Sequence, residues 1–278
     1  MKFFPVSRWT CFLILYTGIT ALCCSCQKPK SDPDTAVGND YSLMETESNQ
    51  VMDAVQSSMI DHGLGRLCNQ GSRSTLLPAC ATVTLNTGQQ VLTIDFGNVN
   101  CLCSDWDGKN RKGKLVAAYS GNYGDSGTTI HLTTEDYYVN DNHFNYDLSL
   151  TNMGHNGQGQ PYFKVVISNA SAETPTGTIS WSSLRTRTWS EGYNSATPYD
   201  DVYEIAGTAS GTSRSGTTFN AEILTSLVKE VGCRWITKGT LQITPSGQDL
   251  RTLDFGDGTC DSKAVLVVNG VTYNINLD

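Results

Sequence analysis

The chain is poor in the residues that most catalytic sites need. It holds four histidines in 278 residues, and His62, His131, His143 and His155 lie in four unrelated contexts. No Gly-x-Ser-x-Gly elbow and no His-Glu-x-x-His pair occurs, so neither a hydrolase nucleophile nor a zinc helix announces itself. Asp95-Phe96-Gly97 and Asp254-Phe255-Gly256 match three letters of a kinase metal motif. No Gly-rich phosphate loop or catalytic loop accompanies them, and the match is coincidence. Clusters of Lys and Arg are missing too, and the formal net charge is −8. Such a chain has no sequence-independent attraction for phosphate backbones, which excludes nucleic acid as a partner. Nor does any apolar run reach the roughly 20 residues of a resident transmembrane helix.

What is present begins at the N-terminus. Lys2 and Arg8 precede the apolar run Cys11-Phe12-Leu13-Ile14-Leu15-Tyr16, which continues through Ile19 to Leu22 and ends in Cys23-Cys24-Ser25-Cys26. This stretch resembles a bacterial lipoprotein signal, in which the cysteine after a small residue is acylated and becomes the mature N-terminus. The resemblance implies that residues 1–25 are a signal peptide and that Cys26 carries the lipid, with Cys24 as the alternative. Removing Lys2 and Arg8 with the signal takes the 19 basic side chains to 17 against 27 acidic, a net of −10. Anionic lipid would repel that charge. Acyl chains at about 0.8 kcal/mol per buried methylene outweigh the repulsion, so the membrane is an expected partner through the lipid on Cys26. The implied location is the outer membrane, at the cell surface or on the periplasmic face.

Residues 26–40 are rich in Pro, Asp and Lys and read as a disordered tether. Within them, Cys26-Gln27-Lys28 followed by Asp32 and Asp34 is similar to the export tag of surface lipoproteins of Bacteroidota. Residues 41–66 hold the one good helix candidate, about Glu45 to His62. Val51, Val55, Met59 and Ile60 recur there at helical spacing, and Gly63 and Gly65 end it.

From about residue 67 to 278 the pattern predicts an all-β domain. Runs of Thr, Val, Ile and aromatics alternate with period two, separated by Gly, Asn and Asp. Twelve candidate strands follow one another with short connections, among them His143–Asn152, Gly177–Ser190, Val202–Ala209, Lys263–Val268 and Val271–Leu277. Asn269-Gly270 is the strongest hairpin signal. Short connections make sequence neighbours pair antiparallel. The expected fold is therefore an antiparallel meander forming one large curved sheet, with two packed sheets as the alternative.

An internal echo supports that architecture. Thr87-Gly-Gln-Gln-Val-Leu-Thr-Ile-Asp-Phe-Gly97 and Cys101 recur as Pro245-Ser-Gly-Gln-Asp-Leu-Arg-Thr-Leu-Asp-Phe-Gly256 and Cys260. Six cysteines remain after the signal and the lipid site: Cys68, Cys80, Cys101, Cys103, Cys233 and Cys260. An even count in an exported chain favours disulfides over metal thiolates. Equivalence of the two copies selects Cys80–Cys101 and Cys233–Cys260, leaving Cys68 for Cys103.

Cys101-Leu-Cys103-Ser-Asp105-Trp-Asp107-Gly, Asp136-Tyr-Tyr-Val-Asn140, Trp189-Ser-Glu-Gly and Asp254-Phe-Gly-Asp-Gly-Thr-Cys-Asp261 resemble motifs of a family of exported Bacteroidota lipoproteins. That family has no assigned activity, so the resemblance implies compartment and an all-β fold without supplying chemistry.

Two constellations remain. Asp105-Trp-Asp107-Gly108 is similar to the opening of a calcium loop, yet lacks the third acidic ligand and the closing Glu. A hairpin turn is the stronger reading of it, and no cofactor is expected. Asp254, Asp257 and Asp261 read the same way. Trp181, Ser183, Arg185, Arg187 and Trp189 fall on one face of a strand. Two indoles flanking two guanidiniums can stack on sugar rings and take up hydroxyls or carboxylates. Alternatively they form a structural ladder closed by a cross-strand acid such as Asp147, Asp201 or Glu204. These features together point to a non-enzymatic lipoprotein that binds a glycan or a surface protein, or has a structural role. The rival is a glycan-active hydrolase, whose paired carboxylates are set by spatial separation rather than by motif.

Overall fold

The computed structural model describes Met1 and residues 33–65, 76–104, 106–195 and 197–277. The signal peptide, Cys26, Cys68 and Asp105 lie outside the described residues. Residues 32–278 form one compact unit. Its described residues comprise a helix, α1 (Pro33–Met59), which runs on as a π-helical turn over Ile60–Leu64, and then strands and turns with one further short helical turn. In chain order the strands are β1 (Thr82–Asn86), β2 (Val91–Asp95), β3 (Cys101–Leu102), β4 (Asn110–Tyr119), β5 (Thr129–Val139), β6 (Asn142–Asn145), β7 (Asp147–His155) and β8 (Pro161–Thr174). They continue as β9 (Gly177–Glu191), β10 (Val202–Thr212), β11 (Thr218–Glu230), β12 (Ile236–Pro245), β13 (Arg251–Asp257), β14 (Lys263–Val268) and β15 (Val271–Asn276).

All fifteen belong to a single sheet in the order β1-β2-β4-β5-β6-β8-β9-β10-β11-β12-β13-β14-β15, with β3 on β4 and β7 between β5 and β8. Every pairing is antiparallel. The meander expected from sequence is what forms, as one hydrogen-bonded sheet. Asn269 (φ 50°) and Gly270 (φ 78°) make the tight turn between β14 and β15, which pair from Val268 opposite Val271. The run expected as one strand over His143–Asn152 is two, β6 and β7. The Thr134 hydroxyl breaks it by donating to the Phe144 carbonyl and accepting from the Tyr146 N–H. Curvature has local causes as well. The β4–β5 register shifts between Lys112 and Lys114, and a Cβ on Gly113 (φ 84°) would lie 1.9 Å from the Asp136 carbonyl oxygen. Only glycine lets the strands cross so closely there.

The sheet bends around α1. Every residue from Asp40 to Ile60 is buried, on all faces of the helix. The helix backbone approaches β4, β12, β14 and β15, while its side chains reach β9 and β11. At Gly38 a Cβ would come within 3.1 Å of Leu266 on β14, so the missing side chain lets helix and wall close up. The helix begins at Pro33, well inside the stretch expected to be a disordered tether. Proline suits a first helical position because its missing N–H would be unpaired anyway.

The echo holds in three dimensions. Asp95 and Asp254 each accept a hydrogen bond from the glycine two residues on, Gly97 at 2.8 Å and Gly256 at 2.9 Å. Phe96 and Phe255 are both buried. Cys80 pairs with Cys101 and Cys233 with Cys260, with Cα separations of 5.9 and 5.8 Å. Cys103 is a buried thiol, and burial pushes its pKa up, away from the reactive thiolate.

Candidate functional site

Helix α1 is acidic, and the wall around it is basic. Residues 33–65 contain no Lys or Arg, and each of the four buried acids, Asp40, Glu45, Glu47 and Asp53, meets a cation of the sheet or its turns. Asp40 takes the Arg214 side chain at 2.5 Å and its backbone N–H at 2.7 Å. Its pKa is nevertheless raised, because burial outweighs Arg214. Glu45 accepts from Arg185 at 2.6 Å, and the Tyr41 hydroxyl bridges the two, accepting from Arg185 at 2.8 Å and donating to Glu45 at 3.1 Å. Glu47 receives Lys109 at 2.5 Å and lies 3.5 Å from Arg111. Asp53 pairs with Arg187 and lies 3.6 Å from the Lys229 ammonium. Burial pushes the Lys229 pKa down, and Asp53 only partly offsets it.

Bringing so many charges out of water costs several kcal/mol per ion, which pairing at best repays. The fit is incomplete, since Arg185 Nη1, Trp181 Nε1 and Asn49 Oδ1 are buried without a hydrogen-bond partner. A buried orphan of this kind costs about 1–3 kcal/mol. Apolar contact makes up the difference. Val37, Tyr41, Met44, Val51, Met52, Val55 and Met59 of α1 all belong to the buried core.

The Trp/Arg face of β9 is the inward one. Trp181, Ser183, Arg185, Arg187 and Trp189 are buried, while Ser180, Leu184 and Thr186 are exposed. Its partner is α1. Tyr41 meets Trp181 edge-on with centroids 5.0 Å apart, Arg187 lies 3.5 Å over the Tyr203 ring, and Trp189 stacks on Tyr203 at 5.6 Å. The acids that close the ladder come from the helix, whereas Asp147 lies beside His131 on the surface. Of the tyrosines near this face, Tyr193 touches Trp189 at 6.3 Å. Tyr137 instead hydrogen-bonds Arg111, and Tyr138 stacks on His143.

Asp107 is fully buried and grips Arg111 with both oxygens, each at 2.7 Å, while accepting the Lys109 N–H at 3.1 Å. Burial opposes its ionisation, but the hydrogen bonds and charge of Arg111, with help from Lys109, outweigh it and hold the pKa below the usual value. Its oxygens are therefore engaged by a guanidinium. Asp254, Asp257 and Asp261 each cap the backbone two residues on. Among the described residues, no group of three His, Cys, Asp or Glu side chains is placed to hold a metal ion.

One open concavity is on the other side of the sheet, and a second, of about 830 Å³, is lined by Asp254, Asp257, Asp261 and Lys263 at β13 to β15. Across the outer face of β8 to β12 runs a groove in two adjoining parts of about 830 and 460 Å³. Hydroxyls and amides line it alongside apolar residues such as Ala170, Leu184 and Pro245, with Ser182, Ser210, Asn220 and Thr244 shared by both parts. Glu222 is the one carboxylate in its lining. Sequence reasoning missed this groove because alternating Ser, Thr and Asn are what any solvated strand face shows. Comparison with known protein families, with curated proteins and with solved structures returns no match for this chain.

Proposed function

We propose that this chain is a non-enzymatic binding or structural lipoprotein, held at the outer membrane by a lipid on Cys26 and displayed on the cell surface or the periplasmic face. The two disulfides support an oxidising compartment, and the N-terminal run supports the anchor. The observation that carries the non-enzymatic reading is the enclosure of the Trp181–Trp189 face by α1. That face holds the strongest constellation of polar and aromatic chemistry in the chain, and here it serves the fold. The outer groove offers a surface for a ligand, and its Ser, Thr, Asn and Gln side chains suit a polyhydroxylated one, so a glycan is the ligand class proposed. One carboxylate in that lining weighs against a glycosidase in the groove, since such an enzyme needs two about 5–9.5 Å apart.

A glycan array probed with the mature protein tests the reading. Filling the groove by Ser182→Trp is expected to abolish binding without lowering the melting temperature. A wild-type protein that binds no glycan, or a variant that binds as well, contradicts the ligand class. Release of sugar from any glycan on the array contradicts the non-enzymatic reading. Mass spectrometry of the natural N-terminus tests the anchor separately. An acylated Cys26 is expected, and an uncleaved, unmodified terminus overturns it.

A further inference from the structure

Asp40 binds Arg214 in the turn between β10 and β11, so this turn marks the rim of the sheet where α1 enters. Side-chain hydrogen bonds link it to its neighbours: Arg214 to Thr176, Gln248 to Thr217, and Asn269 to Asp249. Asn140 and Thr176 line one pocket at the same mouth, and Asn100 reaches Asp141 beside it. Four large aliphatic side chains stand out from these connected turns: Val99 (72% exposed), Leu102 (54%), Leu250 (46%) and Val271 (51%). The turn between β7 and β8, at the opposite rim, presents Asn156, Gln158 and Gln160 instead.

We propose that the rim where α1 enters is a lipid-facing surface, with Val99, Leu102, Leu250 and Val271 seated in the boundary between headgroups and acyl chains. The proposal rests on the anchoring reading above and deepens it. Cys26 lies seven residues before Pro33, so an acyl group there is within about 25 Å of the helix start along even a fully extended chain. The anchor and the aliphatic turns therefore meet the same bilayer. On this rim Lys112 pairs with Asp141 at 3.6 Å and Arg214 with Asp40, Asp249 adds a negative charge, and the chain as a whole is acidic, so attraction to anionic headgroups does not drive the contact. The contact is apolar, and insertion by about 5–10 Å is what such side chains reach at an interface. It follows that the turns after β1, β4 and β7 point away from the membrane and that the outer groove opens sideways.

Depth-sensitive fluorescence tests this on the mature protein in phosphatidylcholine vesicles. An NBD dye on Val271→Cys is expected to shift to the blue and to be quenched by nitroxide-labelled lipid at least threefold more than the same dye on Gln158→Cys. Protein without an engineered cysteine gives the background. Equal quenching at the two sites, or stronger quenching at residue 158, overturns the proposal. Failure of the protein to float with vesicles sinks the anchoring reading instead. In that case the Cys26→Ser protein, held by an N-terminal hexahistidine on nickel-chelating lipid, still reads the rim, with the same contrast expected and the same equality overturning it.

Discussion

Strand β9 has two faces, and they differ in kind. The inward residues Trp181, Arg185, Arg187 and Trp189 carry the chemistry that marks binding sites in other proteins, and here they bind the chain's own helix. The outward residues Ser180, Ser182, Leu184 and Thr186 look ordinary, yet three of them, Ser180, Ser182 and Leu184, line the open groove. Alternation along a strand says which residues share a face. It does not say what covers that face, and in this fold the cover comes from α1, 140 positions away at Glu45 and Arg185.

The contrast predicts very unequal costs of substitution. Asp53→Ala leaves Arg187 and Lys229 buried without their counter-charge, and a loss of about 3–5 kcal/mol is expected in chemical denaturation. Glu45→Ala strands Arg185 in the same way. The double variant Glu45→Leu/Arg185→Met, which replaces both partners by apolar groups, should be more stable than Glu45→Ala alone. Additive losses in that cycle would show that the pair is not coupled. Tyr41→Phe removes the hydroxyl between Arg185 and Glu45 while leaving their direct contact, so a smaller loss of about 1 kcal/mol should appear. On the outward face, Thr186→Ala should stay within about 0.5 kcal/mol of the wild type. A cost there matching that of Asp53→Ala would erase the distinction between the faces.

Acid provides an independent probe of the buried network. The Asp107 pKa is below its usual value in the fold, so its contribution is complete above about pH 3.9 and is lost as the pH falls through the folded value. Asp40 has the opposite sign: its pKa is raised, and the cost of its buried charge is relieved as the pH falls through that higher value. Urea midpoints measured from neutral pH downward should therefore lose their final acid decline in Asp107→Asn. An unchanged decline would remove Asp107 from the account.

Much of the shell was legible in the sequence. Period-two runs separated by Gly, Asn and Asp located the strands, and Lys263–Val268 matches residue for residue, because local alternation and turn chemistry decide these elements. The Asp-Phe-Gly echo pointed to both disulfides for the same reason, since each copy carries its turn and cysteine within a short span. The enclosure of α1 was not legible. Its apolar residues at helical spacing announced a helix, whereas Ser, Thr, Asn, Gln and four acids on the remaining faces read as solvated. The acids are buried by pairing with Lys109, Arg111, Arg185, Arg187, Arg214 and Lys229, and a pairing over such separations leaves no periodic trace. The helix also starts at Pro33, where a stretch rich in Pro, Asp and Lys reads as a tether when the wall it packs against is unseen.

The most direct test of the account is hydrogen exchange across residues 40–60. A helix enclosed by the sheet opens only when the shell does, so its amides should exchange as slowly as those of β9, β10 and β11 and at a rate tied to global unfolding. Complete exchange of α1 within seconds, with those strands still protected, would contradict it.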